Sequence, residues 1–310
     1  MAIECKTKIA ILMATYNGEE YVGEQLDSIL NQTFKDWTLY VHDDGSSDGT
    51  MRVVKRYASQ YPNKIVVIDG PSTGGAKINF FYLMNEVVAD YIMFSDQDDF
   101  WLPQKIEKTY KKCLELEDSH TDEPIAIFTD LKVVDKDLNV LSEKMSSYQT
   151  LKMDNTDINK LMIQNVVTGC TMMINRSCRD MSLKCKDYDQ VIMHDWWCAL
   201  VASYFGRIGY VDESLILYRQ HGDNSVGAKD VHDATYIKSK LRHGKEQRQS
   251  LLNTQKQIKY FVAVYDIDAP YMVEYSNLAS NGKLHKIAFL AKNHIWKSGL
   301  VRNIGLLWFV

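Results

Sequence analysis

The first hundred residues alternate between two hydrophobic rhythms. Lys8 to Ala14, Trp37 to Val41, Ile65 to Ile68 and Tyr91 to Phe94 are nearly unbroken apolar runs. Runs of that kind suit strands of a parallel sheet that is covered on both faces. Between them the spacing becomes helical. From Glu19 onward, Tyr21, Val22, Leu26, Ile29 and Leu30 fall on one helical face, and further helices are predicted through Tyr57 and from Ile78 to Val88. Strands alternating with helices of this length predict βαβ units, and so an α/β fold with a Rossmann-like, mostly parallel sheet.

Later patterning is more mixed. Pro103 opens a charged helix that is predicted to run to about Glu117. A strand is predicted at Ile125 to Thr129, a hairpin at Lys132 to Leu141 and a short helix at Asp154 to Met162. Val166 to Ile174 reads as a strand interrupted at Gly169, and Trp196 to Phe205 as a helix. Arg207 to Val211 and Leu215 to Tyr218 read as two short strands leading into Arg219-Gln220-His221-Gly222. No internal repeat or low-complexity linker is present. The predicted organisation is a catalytic unit over residues 1–228 and a helical extension over residues 229–310.

Ligands of parallel sheets collect at the carboxyl ends of the strands. Three polar turns fall there: Thr15-Tyr16-Asn17-Gly18, Asp43-Asp44-Gly45 and Ser95-Asp96-Gln97-Asp98-Asp99. The last crowds three carboxylates that repel one another and resist burial, so something cationic is expected among them. Hard oxygen ligands with open coordination positions suit Mg²⁺ or Mn²⁺ carrying substrate phosphates. The plainer readings are an acidic surface loop for Asp96 to Asp99 and turn chemistry for Asp43 to Gly45. No Gly-x-Gly-x-x-Gly follows the first strand, which argues against a dinucleotide-binding domain.

Composition narrows the setting. A chain of 310 residues, 45% hydrophobic and 25% charged, is ordinary globular material with room for a sizeable core. Six cysteines without close pairing predict reduced thiols and a cytoplasmic setting. The one N-terminal apolar run is too short for a signal peptide, and no stretch reaches the ~18 apolar residues of a membrane span. The net charge of −4 conceals an asymmetry: from Ala234 onward there are 12 Lys+Arg against 4 Asp+Glu. Oppositely charged parts predict different partners.

The three turns, with His194-Asp195-Trp196-Trp197, resemble family 2 of the inverting glycosyltransferases, which have the GT-A fold. The resemblance covers roughly residues 6–228. Within that family, Phe94 to Asp99, Thr168-Gly169-Cys170-Thr171-Met172-Met173, His194-Asp195-Trp196 and Tyr218-Arg219-Gln220-His221 are most similar to bacterial rhamnosyltransferases that build cell-wall rhamnan. The resemblance implies that Thr15, Tyr16 and Asn17 lie against the donor's base and ribose. It implies that Asp44 accepts a hydrogen bond from a pyrimidine imide, that Asp96 lies near the ribose or metal, and that Asp98 ligates the metal. His221 matches a position that completes the metal shell in some relatives, and Asp195 matches the catalytic base. Thr168, Gly169, His194 and Trp196 would lie on the acceptor side, with His194 standing where many relatives have Glu. Lys77 is a candidate diphosphate contact, against the plainer reading of a solvated helix lysine. The implied cofactor is Mn²⁺ or Mg²⁺, the donor a nucleotide sugar (dTDP-rhamnose favoured, a UDP-hexose the alternative), and the acceptor a polyprenyl-diphosphate-linked glycan.

Such chemistry needs these residue types. Departure of a nucleoside diphosphate builds charge that a divalent ion neutralises, and one carboxylate suffices to take the acceptor's proton. Two other functions compete. A sugar nucleotidyltransferase needs a Gly-rich, Arg-containing loop after the first strand, which Thr15 to Gly18 does not supply; a non-catalytic binding module need not retain Asp96, Asp98 and Asp195. Asp195 alone also reads as a helix cap.

The extension carries its own expectation. Between Lys283 and Lys297, Leu284, Ile287, Ala288, Ala291 and Ile295 share a helical face opposite Lys286, Asn293 and Lys297, and no acidic residue follows Glu274. Attachment to a membrane surface, at the inner face of the plasma membrane, is predicted, against the plainer reading of a helical hairpin packed on the catalytic unit. A nucleic-acid partner is not.

Overall fold

The computed structural model describes residues 2–118, 122–221 and 244–310. The strands are β1 (Ile3–Glu4), β2 (Ile9–Thr15), β3 (Trp37–Asp43), β4 (Ile65–Val67), β5 (Val87–Val88), β6 (Tyr91–Ser95), β7 (Phe100–Trp101), β8 (Ile125–Val134), β9 (Val140–Ser142), β10 (Met173–Asn175) and β11 (Arg207–Arg219). The helices are α1 (Val22–Leu30), α2 (Thr50–Gln60), α3 (Ala76–Glu86), α4 (Lys105–Glu117), α5 (Met145–Tyr148), α6 (Ile158–Leu161), α7 (Arg176–Ser182), α8 (His194–Phe205), α9 (Gly244–Tyr265), α10 (Pro270–Ser276), α11 (Lys283–Lys292) and α12 (Leu300–Phe309).

The main sheet runs β4-β3-β2-β6-β10-β8-β11-β7, with β9 paired to β8. Its first four strands are parallel, as the apolar runs predict. β10 then enters antiparallel between β6 and β8, while β11 lies parallel to β8. In β2, Ile9, Ile11 and Met13 join the cluster that packs with Leu26 and Ile29 of α1 and Val54 of α2. Ala10 and Leu12 join the opposite cluster with Phe80, Phe81 and Trp197. Both faces are therefore buried, which is why the strand shows no polar alternation.

The second cluster continues into Leu251, Ile258, Phe261, Tyr275, Phe289, Leu290, Ile295 and Leu306, so helices α9 to α12 share a core with α3 and α8. The expected unit boundary at residue 228 lies outside the described residues. No helix among the described residues is long and apolar enough to cross a membrane. All six cysteines are free thiols.

Several predicted elements need correction. The two strands expected at 207–211 and 215–218 form one strand, β11, with register shifts around Ser214. The strand expected across 166–174 survives only as β10, because Gly169–Thr171 forms a 3₁₀ turn. The helix expected over 154–162 shrinks to α6. The face assigned to 283–297 is broken as well. α11 ends at Lys292, Ile295 is buried, and Phe289 and Leu290 are the residues that pack inward.

Candidate active site

The loops after β2, β3 and β6 converge at one edge of the sheet and are tied to one another. Gln97 clamps the backbone of Tyr16 twice: its Oε1 accepts the Tyr16 N–H at 2.9 Å and its Nε2 donates to the Tyr16 carbonyl at 2.9 Å. Gly18 is required beside this clamp, since a Cβ there would lie 2.2 Å from Gln97. Asn17 adopts φ 48, a conformation that asparagine tolerates. Its N–H donates to Ser46 Oγ at 2.8 Å and its Oδ1 accepts the Ser47 N–H at 2.8 Å. Thr15 is buried and donates to Asp43 Oδ1 at 2.9 Å, whereas the Tyr16 ring is exposed at the rim.

Asp44 is buried and is answered by the loop before α3. Its Oδ1 accepts from Ser72 Oγ, from Thr73 N and Oγ1 and from Gly74 N; Oδ2 accepts from Gly75 N at 2.6 Å. These donors hold the carboxyl below its ordinary range although burial opposes them. Gly74 and Gly75 have φ 83 and 140, which only glycine adopts without strain, so the loop can present successive N–H groups to one carboxylate.

In the acidic turn each carboxylate has different company. Asp98 Oδ2 lies 2.8 Å from His221 Nε2, joining the turn after β6 to the end of β11. Arg219 holds the same junction by donating Nε to the Asp98 carbonyl at 2.9 Å and pairing with Glu24 at 2.6 Å. Asp96 is half-buried. Burial first, then the neighbouring charges of Asp98 and Asp195, raise its pKa to about 7. Asp99 is fully buried and pushed well above the carboxylate range, by desolvation above all.

Beneath the turn lies Lys105, a residue that the sequence did not single out. Its amine is fully buried 3.5 Å from the Trp101 ring, has no hydrogen-bond partner among the described residues, and lies near the side chains of Cys170 and Asp99. Burial lowers its pKa to about 7.

Asp195 sits in the first turn of α8, facing this turn closely enough for its charge to be felt at Asp96. It is not a cap. Met193 occupies that position, and the carboxylate instead accepts the Gly169 N–H at 2.9 Å and the Trp196 N–H at 2.5 Å. Desolvation outweighs both hydrogen bonds and lifts its pKa to about 7. The 3₁₀ turn that replaced the expected strand is what aims the Gly169 N–H. A side chain on Gly169 would lie 3.0 Å from His194 Nε2 and 3.4 Å from Asp195 Oδ2.

His194 is buried between Phe80 and Phe94, with ring centroids 4.2 and 4.8 Å away. Neither ring nitrogen has a hydrogen-bond partner among the described residues, and desolvation lowers its pKa to about 3, so the imidazole is neutral. Trp196 ties its indole N–H to the Leu161 carbonyl at 2.6 Å, and Trp197 is core. Thr168 is half-buried, its carbonyl closing the Gly169–Thr171 turn.

Lys77 departs from both readings of it. Its ammonium donates to the carbonyls of Tyr188 and Val191 at 2.7 and 2.9 Å, which makes it a tie between α3 and the 188–191 turn. Sequence reasoning assigned no role to Gln97, Lys105 or Arg219. Gln97 and Arg219 stand inside quoted motifs, and their neighbours drew the attention. Lys105 was one lysine among several in a charged helix.

The donor set suits a hard divalent cation. Asp98 and His221 offer one oxygen and one nitrogen 2.8 Å apart, with half-buried Asp96 nearby and in no ion pair among the described residues. Ligand atoms of Asp96, Asp99 and Cys170 also lie within 4.8 Å of one another. The soft Cys170 sulfur suits a hard divalent ion less well than the Asp98 oxygen and His221 nitrogen do.

Two carboxylate-bearing loops at strand ends thus face a third carboxylate, Asp195, across the sheet edge. Residues 10–179 match the family described as Glycosyl transferase family 2. The chain is 30% identical over 251 residues to the dTDP-rhamnosyl transferase RfbG of Shigella flexneri, covering 77% of this chain and 82% of the relative. It is 24% identical over 172 residues to the putative teichuronic acid biosynthesis glycosyltransferase TuaG of Bacillus subtilis, covering 55% and 63%. The structure of S. aureus TarS residues 1–349 in complex with UDP superposes with TM-score 0.54 at 15% identity, covering 97% of this chain and 90% of that one. Against the longer TarS structure the TM-score is again 0.54, and the chain spans 43% of its length. The chain belongs to glycosyl transferase family 2, and its fold is that of the GT-A glycosyltransferases.

Proposed function

We propose that the protein is a metal-dependent inverting glycosyltransferase that moves L-rhamnose from dTDP-β-L-rhamnose to a hydroxyl of a lipid-linked cell-wall or capsular glycan, forming an α-linkage. The observation that carries the chemistry is Asp195, fixed by two backbone N–H groups opposite the Asp96–Asp98–His221 cluster. The rhamnose donor rests on the likeness to a dTDP-rhamnosyl transferase.

In this reading Thr15, Tyr16 and Asn17 line the nucleoside. Asp44 receives the base: its Oδ2 accepts only the Gly75 N–H among the described residues and keeps a lone pair for an imide N–H. Asp96 lies towards the ribose, and Asp98 and His221 hold Mn²⁺ or Mg²⁺. When bound, that ion supplies counter-charge for the departing diphosphate. Asp195 takes the proton of the acceptor hydroxyl as it attacks, and its raised pKa makes it a stronger base than an exposed aspartate. With Asp195 acting only as base, one displacement inverts the anomeric centre. Thr168, Gly169, His194 and Trp196 shape that side, with Gly169 orienting the base. A lipid-carried acceptor draws the enzyme to the inner face of the plasma membrane.

The test is a panel of nucleotide sugars with and without a rhamnan-type acceptor. Release of dTDP from dTDP-rhamnose only when acceptor is present, abolished by EDTA, is expected. Turnover of UDP-hexoses instead would overturn the donor. A protein that binds nucleotide sugars but turns none over would be a binding module.

A further inference from the structure

We infer that the outward face of the last two helices is a docking surface for an anionic phospholipid bilayer. This deepens the reading above by naming the surface that meets lipid, and it rests on that reading only for its purpose. On α12, Leu300, Val301, Ile304 and Trp308 are all exposed, Trp308 to 70%. Their spacing of one, four and eight residues from Leu300 places them on one stripe. On α11, Leu284 is 85% exposed, and exposed Ala288 and Ala291 continue its face.

These residues are surplus to folding. Both helices already bury a different face, through Phe289 and Leu290 of α11 and Leu306 of α12. One exposed leucine is ordinary, but five large apolar side chains on two adjoining helices mark an interaction surface. The helices are joined where the stripes meet. Lys283 Nζ donates to the Trp308 carbonyl at 3.1 Å and lies 5.9 Å from its ring, which puts a cation at the apolar edge.

Charge selects the occupant. Residues 275–310 hold five Lys+Arg and no Asp or Glu, in a chain whose net charge is −4. Lys283 and Lys292 flank Leu284 on either side of α11, and neither forms an ion pair among the described residues. Arg302 faces inward instead, donating to the carbonyls of Gln149 and Thr150. A second copy docked through the same face would bring like charges together. A bilayer offers what this face matches: an apolar layer beneath diffuse negative charge, with an indole suited to the boundary.

The test is sedimentation of the full chain with phosphatidylcholine vesicles, with or without phosphatidylglycerol. The wild type should pellet with the anionic vesicles and be released by salt. Ile304→Ser/Trp308→Ser should lose that binding with unfolding temperature and soluble-acceptor turnover unchanged, because neither side chain is in the core. Lys283→Gln/Lys292→Gln should weaken partitioning roughly 25-fold, at about five-fold per basic residue near the surface. Equal binding to neutral and anionic vesicles, or none, would overturn the inference. So would a wild-type dimer that the Ile304→Ser/Trp308→Ser variant loses, since the face would then be a self-association surface. Vesicle binding without any sugar transfer would sink the catalytic reading and leave this one standing.

Discussion

Replacing Asp195 by Asn should lower activity while the variant's stability relative to wild type climbs with pH, a dependence that follows from burial. In the fold this carboxyl is lifted from 3.8 to about 7, with desolvation as the main cause. At 1.36 kcal/mol per pH unit, ionising it there costs ~4 kcal/mol more than in the unfolded chain. Asp195 keeps a partial opening to solvent, which screens the charge, so ~2–3 kcal/mol is the working figure. The native state holds the extra proton between pH 3.8 and about 7, so wild-type stability falls as pH rises through that window. Asn has no such slope. It does turn an NH₂ towards one of the two N–H donors that the carboxylate now satisfies, a constant penalty of about 1–3 kcal/mol. The variant should therefore be no more stable than wild type near pH 4. It should gain on it by several degrees towards pH 8, given about 2 cal/mol/K of unfolding entropy per residue. Thermal unfolding of both proteins in EDTA from pH 4 to 8 measures this. Turnover of the variant should fall by ~10²–10⁴ with donor affinity retained. A difference in unfolding temperature that is flat with pH would refute the buried-base argument.

The other substitutions probe the neighbours of that carboxylate. Asp98→Ala should remove activation by Mn²⁺ and weaken donor binding, and wild-type turnover in that variant or in excess EDTA would take the metal out of the mechanism. Gly169→Ala should lower kcat at least ~10-fold with little change in donor KM, because its methyl would meet His194 and Asp195 at 3.0 and 3.4 Å; steady-state kinetics with unchanged kcat would mean that the Gly169 turn does not set the base. Relative to Lys105→Met, the wild type should gain stability as pH rises from about 7 towards the ordinary lysine range, since only the unfolded chain then keeps the proton. A pH-independent difference between those two proteins would show that the ammonium is solvated after all.

What was legible in the sequence shared a physical cause. β2, β3 and β6 are buried on both faces by elements nearby in the chain, so their apolar runs announce them, and the turns that follow carry Thr15, Asp44 and Asp98 to one edge. What was hidden depended on distant partners. Asp44 looks like a free acceptor until the glycine loop some thirty residues later closes on it. Lys105 shares its helix with several other lysines, and only packing beneath Asp99 and Cys170 singles it out. Ser214 splits the apolar pattern of β11 because the strand shifts register there, so one strand reads as two. In the extension, helical spacing gave an apolar face for α11 but not which part of it the core would take, and Ile295 went inward while Leu284 stayed out.

The central claim is a single displacement driven by one carboxylate, and the anomeric configuration of the product tests it most directly. NMR of the glycan made from dTDP-β-L-rhamnose should show an α-linked rhamnose from wild type, and the same linkage in whatever residual product Asp195→Asn makes. A β-linked product would require a second nucleophile and would contradict the account.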